Sequence, residues 1–178
     1  MRSELGKECR KLFRKMMVTQ FPEYHEDKGQ IVPPGRYVWT RQHPSGVWFH
    51  ILLIVHPTRD EITIEAGWNF DGKLPRLTNQ GIDKISDHPR LFRVNFLWSG
   101  KDYWWPLVLR PEEYERALLY KDDPIEQCLP LVAPAVWEAC EKLKEHLVPV
   151  FEKIIQLHRV KTKLGGGDGA AGDDGLSI

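Results

Sequence analysis

The side chains best equipped for chemistry in this 178-residue chain are His50, Glu65 and Arg93, and each interrupts an apolar segment at an alternate position. An imidazole beside a carboxylate can serve as a general base, and a guanidinium can hold an anion. If the segments around residues 50, 65 and 93 are neighbouring strands, the three side chains converge on one face of a sheet. A small hydrolase or transferase is then one reading. Arg41 and Asn95 fall on the same face. The plainer reading takes all five as the wet face of an antiparallel sheet, where polar residues alternate with buried ones and Glu–Arg pairs cross between strands. We adopt the plainer reading and assign no catalytic residue.

Other chemistries leave less. His43, His50 and His56 follow one another at gaps of seven and six residues. At ~3.3 Å per residue, an extended chain holds consecutive members about 20 Å apart, too far to share a metal ion. The chain has no H-E-x-x-H, no G-x-S-x-G and no glycine-rich loop ending in a phosphate-binding lysine. Cys9, Cys128 and Cys140 form no C-x-x-C, and their odd number reads as free thiols in a reducing compartment. Neither a metal nor a cofactor is expected.

Aromatic residues give the stronger hint of a partner. Trp68, Phe70, Tyr103, Trp104 and Trp105 gather at strand ends and adjoining loops. Tryptophan and tyrosine dominate the energetic centres of protein interfaces, so a half-buried rim of these rings would suit a protein partner. Trp98 and Trp104 can equally plug the end of the sheet against the C-terminal helices.

The elements that must carry these groups follow from periodicity. Residues 4–18 place Leu5, Cys9, Leu12, Phe13 and Met16 on one helical stripe, with Lys7, Arg10, Lys11, Arg14 and Lys15 opposite and Ser3 as the N-cap. Residues 21–34 read as a loop. Period-two alternation marks strands at 36–42, 47–56, 61–68 and 91–98, the first two joined by the turn Pro44-Ser45-Gly46. The second strand is apolar on one face (Val47, Phe49, Ile51, Leu53, Val55) and apolar mid-way on the other, as expected of a central strand covered on both faces. Residues 69–90 form a long loop. Short helices are predicted over 111–120 and 124–131, and a long one from Pro134 carries the stripe Trp137, Cys140, Leu143, Leu147, Phe151 and Ile154, kinked or split at Pro149.

We therefore expect an α+β fold: one antiparallel sheet of about four strands, packed by the N-terminal helix and the C-terminal helices. Residues 1–163 make a single domain. The Gly/Asp-rich residues 164–178 cannot bury enough surface to order themselves and form a disordered tail. Hydrophobic residues make up 42% of the chain, which suits a filled core, and 25 basic residues balance 25 acidic ones. That balance lacks the basic excess of a nucleic-acid-binding protein, so contact with nucleic acid or anionic lipid rests on the first helix alone. Glu4 and Glu8 lie among its bases, an ordinary surface pattern. No apolar run approaches the ~20 residues of a membrane span, and a cytoplasmic location is expected.

The segment Ile64-Glu65-Ala66-Gly67-Trp68 followed by Gly72-Lys73-Leu74-Pro75, together with the helix–strands–helices order, resembles small bacterial proteins of the toxin-immunity and conflict-system kind. The resemblance covers about a dozen residues and the element order, and carries over no catalytic residue. It implies a non-catalytic, cytosolic protein-binding module rather than an enzyme.

Overall fold

The computed structural model describes residues 1–29, 32, 34–70, 72–74, 104–109 and 123–164, with side chains to residue 159, and the paired backbone of 77–78, 81–82 and 92–93. Helix α1 spans Ser3–Gln20 and is followed by β1 (His25–Glu26), β2 (Arg36–Gln42), β3 (Trp48–Val55) and β4 (Glu61–Asn69). The two-residue strands β5 (Leu77–Thr78), β6 (Gly81–Ile82), β7 (Phe92–Arg93) and β8 (Trp105–Pro106) come next. Helix α2 (Ile125–Lys142) passes through one π-helical turn, Leu143–Leu147, into α3 (Val148–Leu164). The architecture is α+β, as the periodicity implies.

Antiparallel pairing orders the main sheet β1-β2-β3-β4-β7. Ile62 pairs with Val55 on one side and Trp105 on the other, so β8 lies along the same edge of β4 as β7. The register sorts side chains cleanly. Trp39, Phe49, Ile51, Leu53, Ile62, Ile64 and Ala66 face the helices and form the main core with Leu5, Cys9, Phe13 and Met17 of α1 and Val132, Val136, Cys140, Leu147 and Phe151 of the C-terminal rod. The opposite face holds a smaller cluster of Val38, Leu52, Ile54 and Leu74, with Trp104 against it. The central strand is thus covered on both sides. Where β3 hands over to the turn, Val55 N donates to Gly35 O, and a Cβ at Gly35 would meet Val55 O at 2.8 Å. With φ at +81°, position 35 takes glycine for both reasons.

Several expectations are corrected. Ser3 lies inside α1 rather than capping it: the N-cap position is Arg2, and no side chain caps the helix. Residues 21–34 are not loop throughout, since His25 and Glu26 pair with Thr40 and Trp39. Residues 124–131 and the long helix are continuous from Ile125, despite Pro130 and Pro134 within α2. Trp137 is not in the buried stripe; it is 58% exposed. Pro149 neither splits nor sharply ends the rod. The π-helical turn immediately before it widens the spiral where the ring would otherwise strike a carbonyl four residues back. The fourth strand is described only as Phe92–Arg93, and the predicted helix at 111–120, Trp98, most of the 69–90 loop and the 165–178 tail lie outside the described residues. No helix among the described residues is long and apolar enough to cross a membrane.

The basic side of α1 is held from within. Glu26 of β1 accepts from Arg10 Nη2 at 2.9 Å and from Arg14 Nη2 at 2.8 Å and Nε at 3.0 Å. Burial favours the neutral carboxyl, but the two guanidinium hydrogen bonds outweigh it and lower the Glu26 pKa. A carboxylate depressed in the folded state stabilises above its unfolded pKa and loses that contribution as pH falls through the folded one. Replacing Glu26 with Gln should therefore cost about 0.5–1 kcal/mol at neutral pH, because the arginines are half exposed. Urea titrations at successive pH values should show the difference shrinking into the acid range. A deficit that stays constant with pH would refute the ionic account.

Candidate functional site

Four places on the fold compete for a functional role. The first is the sheet face that carries His50, Glu65 and Arg93. The register sets their backbone positions close together: Arg93 is directly opposite Glu65, and His50 faces Gly67, which puts it diagonal to Glu65. Diagonal neighbours of this kind are separated by roughly 7–8 Å. Only the backbone of Arg93 is among the described parts. The chemistry needs more than proximity. His50 is 0% exposed, and Glu65 is gripped by Arg36 of β2 at 3.3 Å.

Nor is this face uniformly wet. Thr40, His50, Glu61, Thr63 and Asn69 all lie on it and all are buried. His25 Nε2 lies 3.1 Å from Thr40 Oγ1, and Glu61 pairs with Arg59 at 2.8 Å. The wet-face expectation is thereby corrected for His50, and Arg41, expected on the same face, stands opposite Phe49 in the register and so belongs to the helix-facing side. Polar alternation reports the face of a strand, and it does not report whether loops later cover that face.

The second place is the aromatic rim, whose members separate. Trp105 is buried in the main core, and Trp68 packs against the same core from β4. Trp104 sits on the opposite face, edge-on to His56 with ring centres 5.0 Å apart. Phe70 is 63% exposed and tilts over His158 of α3 at 5.0 Å. Tyr103 lies outside the described residues. Trp105 and Pro106 form too short a strand to show a period, and its place at the edge of β4 tolerates the proline.

The third is a cleft of about 520 Å³ between the β2–β3 hairpin and α3. Its buried floor is apolar, from Phe21, Ile51, Leu147, Phe151 and Ile155, and its more exposed lining is polar, with Arg41, His43 and Arg159 beside Glu23, Glu152 and Gln156. The hairpin and helix are tied together beside it: His158 Nε2 lies 3.1 Å from Ser45 O, and Ser45 N donates to His43 Nδ1 at 3.1 Å. Arg41 donates to Glu23 Oε1 at 3.2 Å. Burial, then the charges of Arg41 and Arg159, push the His43 pKa down, so the imidazole is neutral at neutral pH. Burial likewise raises the Tyr24 hydroxyl, which keeps its proton.

No protein family, curated protein or solved structure matches this chain. Among the described residues no group of three or more His, Cys, Asp or Glu is arranged to hold a metal ion. The thiols of Cys9 and Cys140 are pushed up to about 12 by burial, which leaves them protonated and poor nucleophiles.

The fourth place is the outer face of α2, where Trp137 is exposed instead of lying in the buried stripe. Residues 129–137 contain no charge. The inward positions Cys128, Val132, Ala135, Val136, Ala139 and Cys140 are buried, and Leu129, Pro130, Ala133, Pro134 and Trp137 are exposed. At ~100° per residue these five cover a continuous arc of about 140°. A helical stretch apolar all round belongs in an interior, yet this one leaves Leu129 and Trp137 exposed to solvent.

Proposed function

We propose that the chain is a non-catalytic protein-binding module and that the outer strip of α2 is where its partner docks. The observation that carries the reading is Trp137, 58% exposed at the end of an uncharged helical strip. Contiguous apolar surface of this kind marks interaction sites, and exposed tryptophan is the side chain most often at their energetic centre. The toxin-immunity resemblance implies the same class of function.

The strip also specifies what the partner brings. Glu126, Glu138 and Glu141 border it, and Lys142, the only base in α2, pairs instead with Glu145 at 2.8 Å. Pro130 and Pro134 each lack the N–H that would close on the carbonyl four residues earlier, so the Glu126 and Pro130 carbonyls lose their regular helical donors. Both residues are exposed. An apolar surface rimmed by lysine or arginine satisfies all three features: it covers the strip, neutralises the acids and donates to the carbonyls. A second copy of this chain fits badly, because a two-fold pair about α2 sets these glutamates against one another.

The test is photo-cross-linking in the native cells with a benzophenone side chain at Ala133. The expected product is one discrete adduct with a different, basic-rimmed protein. Trp137→Asp should abolish it with the thermal midpoint unchanged, and a cross-linker at Lys153 should give none. Trp137→Ala should weaken the purified pair about thirtyfold or more. An adduct of two copies of this chain, an adduct that survives Trp137→Asp, or no adduct overturns the proposal.

A further inference from the structure

We infer that the cleft between the β2–β3 hairpin and α3 binds a small apolar monocarboxylate, its hydrocarbon part on the floor and its carboxylate at the mouth. The volume, about 520 Å³, lies in the range of small-molecule sites, which run from about 300 to 1,000 Å³. The site follows the usual division of labour in such pockets, with an apolar interior for affinity and a few polar groups for orientation.

Charge picks out the ligand. The lining holds two arginines, Arg41 and Arg159, and two acids, Glu23 and Glu152. Glu23 is bound to Arg41 at 3.2 Å, and among the described residues Arg159 and Glu152 have no ion-pair partner, so they are the charges left to act on a ligand. They are seven residues apart on α3, about 10 Å along the axis. The cleft is therefore electrically polar along its length. An anionic group is favoured beside Arg159 and Arg41 and disfavoured beside Glu152, so a carboxylate is oriented as well as attracted.

His43 sits at the positive end, and its Nδ1 accepts from Ser45 N, so its ring proton lies on Nε2. The neutral ring adds a hydrogen-bond donor there without a charge. Tyr24, buried in the same wall, keeps that end free of a competing phenolate. A phosphate dianion fits less well, because Arg41 already shares its charge with Glu23 and that end of the cleft holds less than two uncompensated positive charges. A purely apolar ligand would leave the Arg159–His43 end without a counter-charge.

Decanoate and decanol are suitable probes, since they share the chain and differ in the head. Calorimetry on the whole protein should find decanoate binding at sub-millimolar concentration and decanol at least about tenfold more weakly. Arg159→Glu should remove that preference and leave decanol unchanged. Gln156→Trp, which places an indole in the cleft from an exposed position, should block both. Equal affinity for the two probes, a preference that survives Arg159→Glu, or no binding of decanoate overturns the inference. Both positions are exposed, and an unchanged thermal midpoint confirms that each variant is folded.

Discussion

Replacing Arg2 with methionine should lower the stability of this protein by about 3–5 kcal/mol, the cost of leaving a buried carboxylate without its counter-charge. Arg2 ties three distant elements. Its backbone N and its Nε donate to the two carboxylate oxygens of Asp60 at 2.8 and 2.7 Å. The guanidinium also donates to the Asp123 carbonyl and to Cys128 Sγ, both at the start of α2. The Asp60 side chain is only 4% exposed, so water cannot take over when the guanidinium is removed. The Asp60 carbonyl in turn accepts from Leu107 N at 2.8 Å, which extends the tie to the segment after β8. Denaturant titration of Arg2→Met, Asp60→Asn and the double variant measures the coupling. The double variant should recover a large part of the loss. Strict additivity, or a single-variant loss under about 1 kcal/mol, would show that the pair is incidental.

Phe13→Ala should cost a comparable amount, about 3–5 kcal/mol, through lost transfer energy and the cavity left behind. Phe13 is fully buried, with its ring edge-on to Trp39 of β2 at 4.9 Å, so it fastens α1 to the sheet. Substitutions at Lys11 and Lys15, exposed on the far side, should stay within about 0.5 kcal/mol. The contrast separates two uses of a basic amphipathic helix. If α1 were an arm for nucleic acid or lipid, removing Phe13 would leave the sheet's unfolding transition in place. If α1 is one wall of the core, the whole transition moves. Calorimetric unfolding of the variants decides between them.

The elements readable in advance were those in which burial and period agree. Strand β3 alternates on a wholly apolar face, and α1 repeats apolar residues at three and four, so either pattern survives any neighbouring detail. Met17 rather than Met16 proved the fully buried methionine, a difference of one residue at the edge of the stripe. Short elements were invisible, because His25–Glu26 and Trp105–Pro106 carry no period and exist only through pairing with β2 and β4. Pro134 reads as a helix start, but burial of Cys128, Val132 and Val136 holds one spiral through it and through Pro130, a case of packing overriding a local rule. The catalytic-looking trio was placed on one face by register, yet its burial depends on what covers the sheet. The cleft could not be read at all. Arg41, His43 and Arg159 come from opposite ends of the chain, and no spacing announces a site that only docking of α3 creates.

Because α2 and α3 run on without a loop, Trp137 and Arg159 belong to a single rod. Their 22-residue separation corresponds to a span of about 33 Å. Torque applied at one end travels along backbone hydrogen bonds instead of dissipating in a flexible joint. The wide turn at 143–147 interrupts the regular hydrogen bonding of that lever, and Leu147 there is also part of the cleft floor. A load on the far end of α2 is therefore felt first at that wall.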